Sequence, residues 1–154
     1  MDKKKKAGRY ERMQKQIEEI LLKTDDYNAR MSTVIAVLHH KMEYFFWTGY
    51  YFLKNDKLIV GQYQGPVACQ ELKKDVGVCW TSINKQSPII VPDVGAFPGH
   101  IGCDSRSKSE IVIPVKNNKG EIIGVLDVDS TEYNQFDEID EKYLTQLLEL
   151  VFKL

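Results

Sequence analysis

Apolar residues recur at every third or fourth position in three parts of the chain, which is the spacing of an amphipathic helix. The first run lies near the N terminus, the second follows the acidic pair Asp25 and Asp26, which suits a helix cap, and the third begins near Asp137. Each run predicts a helix with one side packed on a core. The apolar positions are Tyr10, Met13, Ile17, Ile20 and Leu21 in the first helix, Met31, Val34, Ile35, Leu38 and Met42 in the second, and Tyr143, Leu144, Leu147, Leu148 and Val151 in the third.

Between the second and third of these helices, the pattern changes to one that predicts strands. Aromatic and β-branched residues flank turn signals at Asn55–Asp56 and near Gly120, and each arrangement predicts a hairpin. Strands bracketed by helices predict an α+β domain with a central antiparallel sheet and helices packed on it. We expect strands at residues 44–53, 57–63, 88–91, 110–115 and 121–127, and a short helix at 77–85 that carries Cys79 in its first turn.

The chain has 154 residues, of which 43% are hydrophobic and 28% charged, and its net charge is −1. This length suits a single domain over residues 1–154 with its own core. We expect residues 1–8 to be a flexible, solvated tail, because the lysine run at 3–6 is too short to predict a nucleic-acid-binding arm. No apolar run is long enough to span a bilayer, and no secretory signal pattern is present. A cytoplasmic protein without membrane or nucleic-acid partners is therefore expected.

Three cysteines, at positions 69, 79 and 103, lie close to glycines and outside the long apolar runs. An odd number of cysteines cannot all pair within one chain. Accessible thiols in a reducing compartment are commonly catalytic, redox-sensing or metal-binding. One reactive thiol with two candidates to form a disulfide with it fits the count. Cys103 lies in the irregular segment 92–108, and loops of this length are often functional.

A metal site is the alternative use of these cysteines. His100 and Cys103 form an HxxC spacing, but structural zinc sites usually contain a close pair such as CxxC, and this sequence has none. Phosphate-binding loops, zincin motifs and nucleophile elbows are also absent from the sequence. We therefore predict no metal site.

A group of acidic residues follows the predicted strands of the second hairpin. Asp127 and Asp129 are two positions apart, so an extended chain presents both on one face, and strand pairing brings Glu110 beside them. Converging carboxylates repel one another, which raises at least one pKa and leaves a carboxyl that can act as a general acid. The alternative is that Asp129 begins a turn and that Glu110 is a solvated strand end.

The first predicted strand is rich in aromatic residues. Strand alternation puts Phe45, Trp47, Gly49 and Tyr51 on one face, and the glycine would leave space above the sheet. Trp47 and Tyr51 could thus form a small box for an apolar or cationic group. A plain core stripe is the alternative.

Taken together, these segments resemble the free methionine-(R)-sulfoxide reductases. The resemblance lies in GPVAC followed, after nine intervening residues, by Cys79, in GHIGCDSRSKSEIVIPV, and in GVLDVDS, and it extends from Trp47 to about Leu148. It implies a GAF fold in which Cys103 is catalytic and Cys69 and Cys79 are its partners in disulfide formation. It also implies that Glu110, Asp127 and Asp129 bind substrate and that Trp47 and Tyr51 form an aromatic wall.

By this resemblance, the protein reduces free methionine-(R)-sulfoxide through a cysteine sulfenic acid and an intramolecular disulfide, which thioredoxin then reduces. Glu110 belongs to the catalytic set as a candidate proton donor. The resemblance implies no bound cofactor, and it favours a homodimer, for which the N-terminal helices are the candidate interface. A non-catalytic GAF sensor and a thiol redox switch are the alternatives; both would bind or react without repeated turnover.

Overall fold

The structure is a computed structural model that describes residues 1–100 and 102–153. Four helices and six strands follow one another along the described chain, and a 3₁₀ turn at Val94–Ala96 interrupts the segment after the fourth strand. The helices are α1 (Lys3–Leu21), α2 (Tyr27–Lys41), α3 (Gly77–Lys85) and α4 (Glu138–Lys153), and the strands are β1 (Trp47–Lys54), β2 (Lys57–Gln64), β3 (Glu71–Leu72), β4 (Ile89–Val91), β5 (Ser109–Lys116) and β6 (Ile122–Ser130).

The strands form one sheet in the order β3-β2-β1-β6-β5-β4, and every neighbouring pair is antiparallel. The predicted α+β fold with a central antiparallel sheet is confirmed. β1 and β6 lie in the middle of the sheet, so the aromatic segment and the acidic segment of the sequence become neighbours. This pairing positions the site described below.

Strand alternation divides the apolar side chains between the two faces of the sheet. On one face, Tyr50 and Leu126 pack with α1, α2 and α4 in the larger core. On the other face, Trp47 and Tyr51 pack with residues of α3 in a smaller core. The smaller core lies under α3 and the long loop that precedes β5, and it forms the base of the candidate site.

The N-terminal residues are helical, so the prediction of a flexible tail over residues 1–8 is wrong. Asp2 caps α1 by accepting a hydrogen bond from the backbone N–H of Lys5 at 2.8 Å. The Lys6 side chain is 3% exposed, and its Nζ lies 2.7 Å from Asp140 Oδ2. Residues 3–5 of the lysine run are exposed, whereas Lys6 reaches a buried partner on α4, a difference that composition alone could not reveal.

The apolar side of α1 is packed within the chain. Tyr10, Met13 and Ile17 are each at most 3% exposed and belong to the larger core. These residues therefore do not offer an apolar surface to a second copy, and the expected homodimer would have to use other residues of the helices. No helix among the described residues has the length and apolar character needed to cross a membrane.

Candidate active site

Two of the three cysteines form a disulfide at the surface of the α3 face. Cys69 and Cys103 are joined with a Cα–Cα distance of 5.7 Å, although 34 positions separate them in sequence. Cys103 is exposed, whereas Cys69 is half-buried. Cys79 remains a free thiol and is 5% exposed, so the expectation of an accessible thiol holds for Cys103 and fails for Cys79. Cys79 lies in the first turn of α3, as predicted, and that turn faces the sheet.

The segment that carries Cys69 is attached to β1 by two hydrogen bonds. Trp47 Nε1 donates to the carbonyl oxygen of Pro66 at 3.1 Å, and the Tyr51 hydroxyl donates to the carbonyl oxygen of Cys69 at 3.1 Å. Both aromatic residues therefore position this segment through their polar atoms as well as packing against it. Gly65, with φ of 124°, allows the turn, and a Cβ there would lie 2.8 Å from the carbonyl oxygen of Phe46.

The loop that carries Cys103 is held by an arginine. Arg106 binds Asp104 through two hydrogen bonds, Nε to Oδ1 at 2.9 Å and Nη2 to Oδ2 at 2.7 Å. The guanidinium also lies 4.9 Å from the centre of the Phe46 ring. The side-chain and backbone hydrogen bonds from Arg106 lower the pKa of Asp104 to about 2, so Asp104 is ionised beside Cys103.

The three predicted acidic residues meet on the same face of the sheet. Glu110 is paired with Asp129 across β5 and β6, and Asp127 is paired with Gly49 across β6 and β1. β6 continues to Ser130 instead of ending at Asp127, so these acids lie within the sheet and beneath α3. Glu110 is 5% exposed and Asp127 is 6% exposed, which rules out a solvated strand end for Glu110.

Burial raises the pKa values of this cluster. It raises the pKa of Glu110 well above its ordinary value, and the charges of Asp127 and Asp129 act in the same direction. Burial also raises the pKa of Asp127, although the neighbouring side chains of Glu110 and Cys79 partly oppose this, and it raises the pKa of Asp129. The expectation of a raised pKa agrees with this pattern, but desolvation contributes more than the repulsion on which the expectation rested.

The same environment makes Cys79 a poor nucleophile. Burial raises the pKa of its thiol well above the ordinary value, and the charge of Asp127 adds to the effect. A thiol reacts as its thiolate, so Cys79 stays protonated and unreactive in this form of the protein.

A cavity separates the disulfide from the acidic cluster. Seven of the eight predicted site residues line it, and Cys69 adjoins it through the disulfide. The seven are Trp47, Tyr51, Cys79, Cys103, Glu110, Asp127 and Asp129.

Gly49 serves a different purpose from the one expected. A Cβ on Gly49 would lie 2.3 Å from the Cβ of Tyr63 and 2.7 Å from the Trp47 ring, so the space above this glycine is already filled. The Trp47 ring is stacked with Tyr63 at 5.3 Å and with Tyr51 at 5.8 Å between ring centres. The aromatic group is therefore a packed wall of the cavity and not an open box.

Sequence reasoning missed several residues of this cavity. Phe46 and Asp104 line it, and Arg106 holds both. His100 was considered only as a metal ligand; it also lines the cavity, with Nε2 3.9 Å from Glu110 Oε1, and burial lowers its pKa. Phe46 and Arg106 are 60 positions apart, and no local pattern indicates that they touch.

The fold agrees with what known proteins show. The family profile of the GAF domain matches residues 31–151, so the chain is a GAF domain. GAF domain-containing protein A of Dictyostelium discoideum is 48% identical over 147 residues, covering 95% of this chain and 92% of that protein. The free methionine-R-sulfoxide reductase of Escherichia coli is 40% identical over 120 residues, covering 78% of this chain and 72% of that protein.

A solved structure matches over nearly the whole chain. The free methionine-R-sulfoxide reductase of Neisseria meningitidis, in complex with its substrate, superposes with a TM-score of 0.90 at 38% identity and covers 99% of this chain and 90% of that one. Among GAF domains, the chain thus belongs to the free methionine-R-sulfoxide reductase family. The resemblance inferred from the cysteine and acidic segments is confirmed.

Proposed function

We propose that this protein reduces free L-methionine (R)-sulfoxide to methionine and that Cys103 is the thiol that attacks the sulfoxide. The observation that carries the proposal is the Cys69–Cys103 disulfide at the mouth of a cavity with an acidic base. A disulfide between an exposed and a half-buried cysteine is the expected end point of the oxidative half of the cycle.

The reaction divides into three balanced steps. The Cys103 thiol attacks the sulfoxide sulfur, the sulfoxide oxygen is transferred to Cys103 as a sulfenic acid, and methionine leaves. The Cys69 thiol then displaces that oxygen as water and forms the disulfide. A dithiol reductant finally exchanges with the disulfide, which restores both thiols and oxidises the reductant. The direct pairing of Cys69 with Cys103 favours Cys69 over Cys79 as the resolving cysteine.

The acidic cluster provides two functions for this chemistry. The sulfoxide oxygen must gain protons as it leaves the sulfur, and Glu110, whose pKa burial raises, is the proposed donor. Asp127 and Asp129 provide carboxyl oxygens that would accept hydrogen bonds from the substrate's ammonium group. A peptide-bound methionine sulfoxide has a neutral amide at this position, so the cluster favours the free amino acid. Trp47 and Tyr51 would hold the S-methyl end.

Thioredoxin is the proposed reductant, because Cys103 is exposed to a protein dithiol. Such a cycle suits the cytoplasm, where thiols are kept reduced, and the three steps require no bound cofactor. A homodimer is part of the proposal, with surfaces of the N-terminal helices other than the buried side of α1.

A coupled assay with thioredoxin, thioredoxin reductase and NADPH tests this function with the separate R and S epimers. We expect many turnovers with the R epimer and none with the S epimer. Cys103→Ser should abolish turnover, whereas Ser105→Ala, an exposed neighbour, should retain it. Substantial activity in Cys103→Ser would refute the assignment of the nucleophile, and silence with both epimers would favour a GAF sensor that only binds its ligand.

A further inference from the structure

The base of the cavity is a buried group of acids for which the described residues provide no lysine or arginine partner. Lysine and arginine pair with acids elsewhere in the described chain, as Lys6 does with Asp140. At the cavity base, the ion-pair contact among the described residues is His100 Nε2 to Glu110 Oε1, at 3.9 Å. Buried carboxyls without a cation carry an uncompensated desolvation cost, so the group favours the entry of a cation.

The donor atoms of three residues converge at this point. Cys79 Sγ and carboxylate oxygens of Glu110 and Asp127 all lie within 4.8 Å of one another. Independently, Asp127 Oδ1 is buried and lacks a hydrogen-bond partner among the described residues. Buried polar atoms nearly always have a partner, so an unpartnered oxygen in a polar cavity indicates that a ligand is bound there in the functional protein.

The geometry points to a zinc-binding site formed by Cys79, Glu110 and Asp127, at which Zn²⁺ and the substrate exclude each other. A thiolate with two carboxylates is a ligand set that zinc accepts. Mg²⁺ and Ca²⁺ prefer oxygen donors alone, so the thiol selects against them. The absence of a CxxC pair does not argue against this site, because its donors come from α3, β5 and β6 and not from one short segment.

Zinc binding at this site is an exchange of cations without a redox change. Zn²⁺ displaces the thiol proton of Cys79 and the protons held on the carboxyls, and these protons pass to solvent. The exclusion of substrate rests on the proposed function, since it assumes that the ammonium group of methionine sulfoxide occupies the same acidic cluster. Zinc would then be an inhibitor that leaves the two disulfide-forming cysteines untouched.

The disulfide form of the protein allows a direct test, because Cys79 is then the single free thiol of the three. Zn²⁺ affinity is measured by competition with a chromophoric chelator. We expect one zinc per chain, and we expect Cys79→Ser and Asp127→Asn each to weaken binding at least about tenfold, which corresponds to 1.4 kcal/mol. Asp104→Asn, the same type of change at the cavity mouth, is the matched control and should leave affinity unchanged. Circular dichroism and thermal melting confirm that each variant is folded.

Substrate exclusion is measured on the Cys69→Ser/Cys103→Ser variant, which keeps Cys79 and cannot turn over. Methionine (R)-sulfoxide should lower the apparent zinc affinity in proportion to its concentration. Zinc binding that persists in both Cys79→Ser and Asp127→Asn, or no binding to the wild-type disulfide form, would overturn the site, whatever the reductase assay shows. Zinc that binds through Cys79 but ignores the sulfoxide would overturn the exclusion, and normal turnover of the R epimer would show that the proposed function survives it.

Discussion

Replacing Lys6 by methionine tests whether the charged N terminus is a structural part of the fold. Lys6 Nζ lies 2.7 Å from Asp140 Oδ2 and 3.2 Å from Asp137 Oδ2, and it donates to the carbonyl oxygen of Gln135 at 3.0 Å. Methionine keeps most of the side chain's length and apolar stem but removes the charge. The change leaves Asp140, which is fully buried, without its cation.

The size of the effect follows from the remaining partners of Asp140. Removal of one member of a buried ion pair costs about 3–5 kcal/mol. The hydroxyls of Tyr10 and Tyr44 still donate to Asp140 Oδ1 at 2.7 and 2.6 Å, and the Asp137 N–H donates to Oδ2 at 2.9 Å. These bonds compensate part of the charge, so we expect a loss near the lower limit, about 3 kcal/mol. For a chain of this size that lowers Tm by about 6–12 °C.

Thermal and urea unfolding of Lys6→Met and Lys5→Met measure this directly. Lys5 is exposed one position earlier on α1 and is the matched control, for which we expect a change within about 0.5 kcal/mol. Adding Asp140→Asn to Lys6→Met should recover part of the loss, because the unpaired charge is gone. Equal Tm values for Lys6→Met and wild type would refute the argument and restore a solvated tail.

Three further changes probe the cavity. Because burial raises the pKa of Glu110, the folded state holds its proton more tightly than the unfolded state, and the free energy of unfolding falls as pH rises from the ordinary value near 4.5 towards the raised one. A pKa difference of one between the folded and unfolded states corresponds to about 1.4 kcal/mol of unfolding free energy. Glu110→Gln should therefore flatten the pH dependence of Tm and lower kcat about 100-fold or more. An unchanged pH profile of Tm would contradict this. Gly49→Ala should lower the free energy of unfolding by about 1–3 kcal/mol through overpacking and should raise KM by displacing Trp47. The control Gly8→Ala, in α1, should not destabilise the protein. Wild-type KM and Tm in Gly49→Ala would contradict the interpretation of the aromatic group as a packed wall. Cys69→Ser should form a sulfenic acid on Cys103 but no intramolecular disulfide, as read by mass spectrometry after one equivalent of sulfoxide. A disulfide formed through Cys79 as fast as in the wild type would assign the resolving role to that residue instead.

The sequence was sufficient for the elements with strong periodicity. α3 lies at the predicted residues 77–85, and both hairpins are present with shifts of a few residues at their ends. β3 was missed, because Glu71–Leu72 is a two-residue strand and carries no alternation of its own. The extension of β6 to Ser130 was missed, because Asp127 and Asp129 resemble residues that end an apolar strand. In the structure both aspartates lie within the strand.

The candidate site was predictable as a set of residues but not as a geometry. Pairing of β1 with β6 and of β5 with β6 explains why distant aromatic and acidic segments converge. The disulfide partner could not be predicted, because Cys69 and Cys79 lie at similar distances from Cys103 along the chain. Only the packing of α3 turns Cys79 inward and leaves Cys69 at the mouth.

The disulfide also encloses part of the cavity in a covalent ring. The loop between Cys69 and Cys103 spans 34 positions and contains β3, α3 and β4. Closing a loop of this length removes chain entropy worth about 4 kcal/mol from the unfolded state. In the proposed cycle, each turnover would open and close a tether around α3, the element that lies over the cavity. The unfolded chain is then most constrained in the disulfide form and least constrained in the reduced form that would receive substrate.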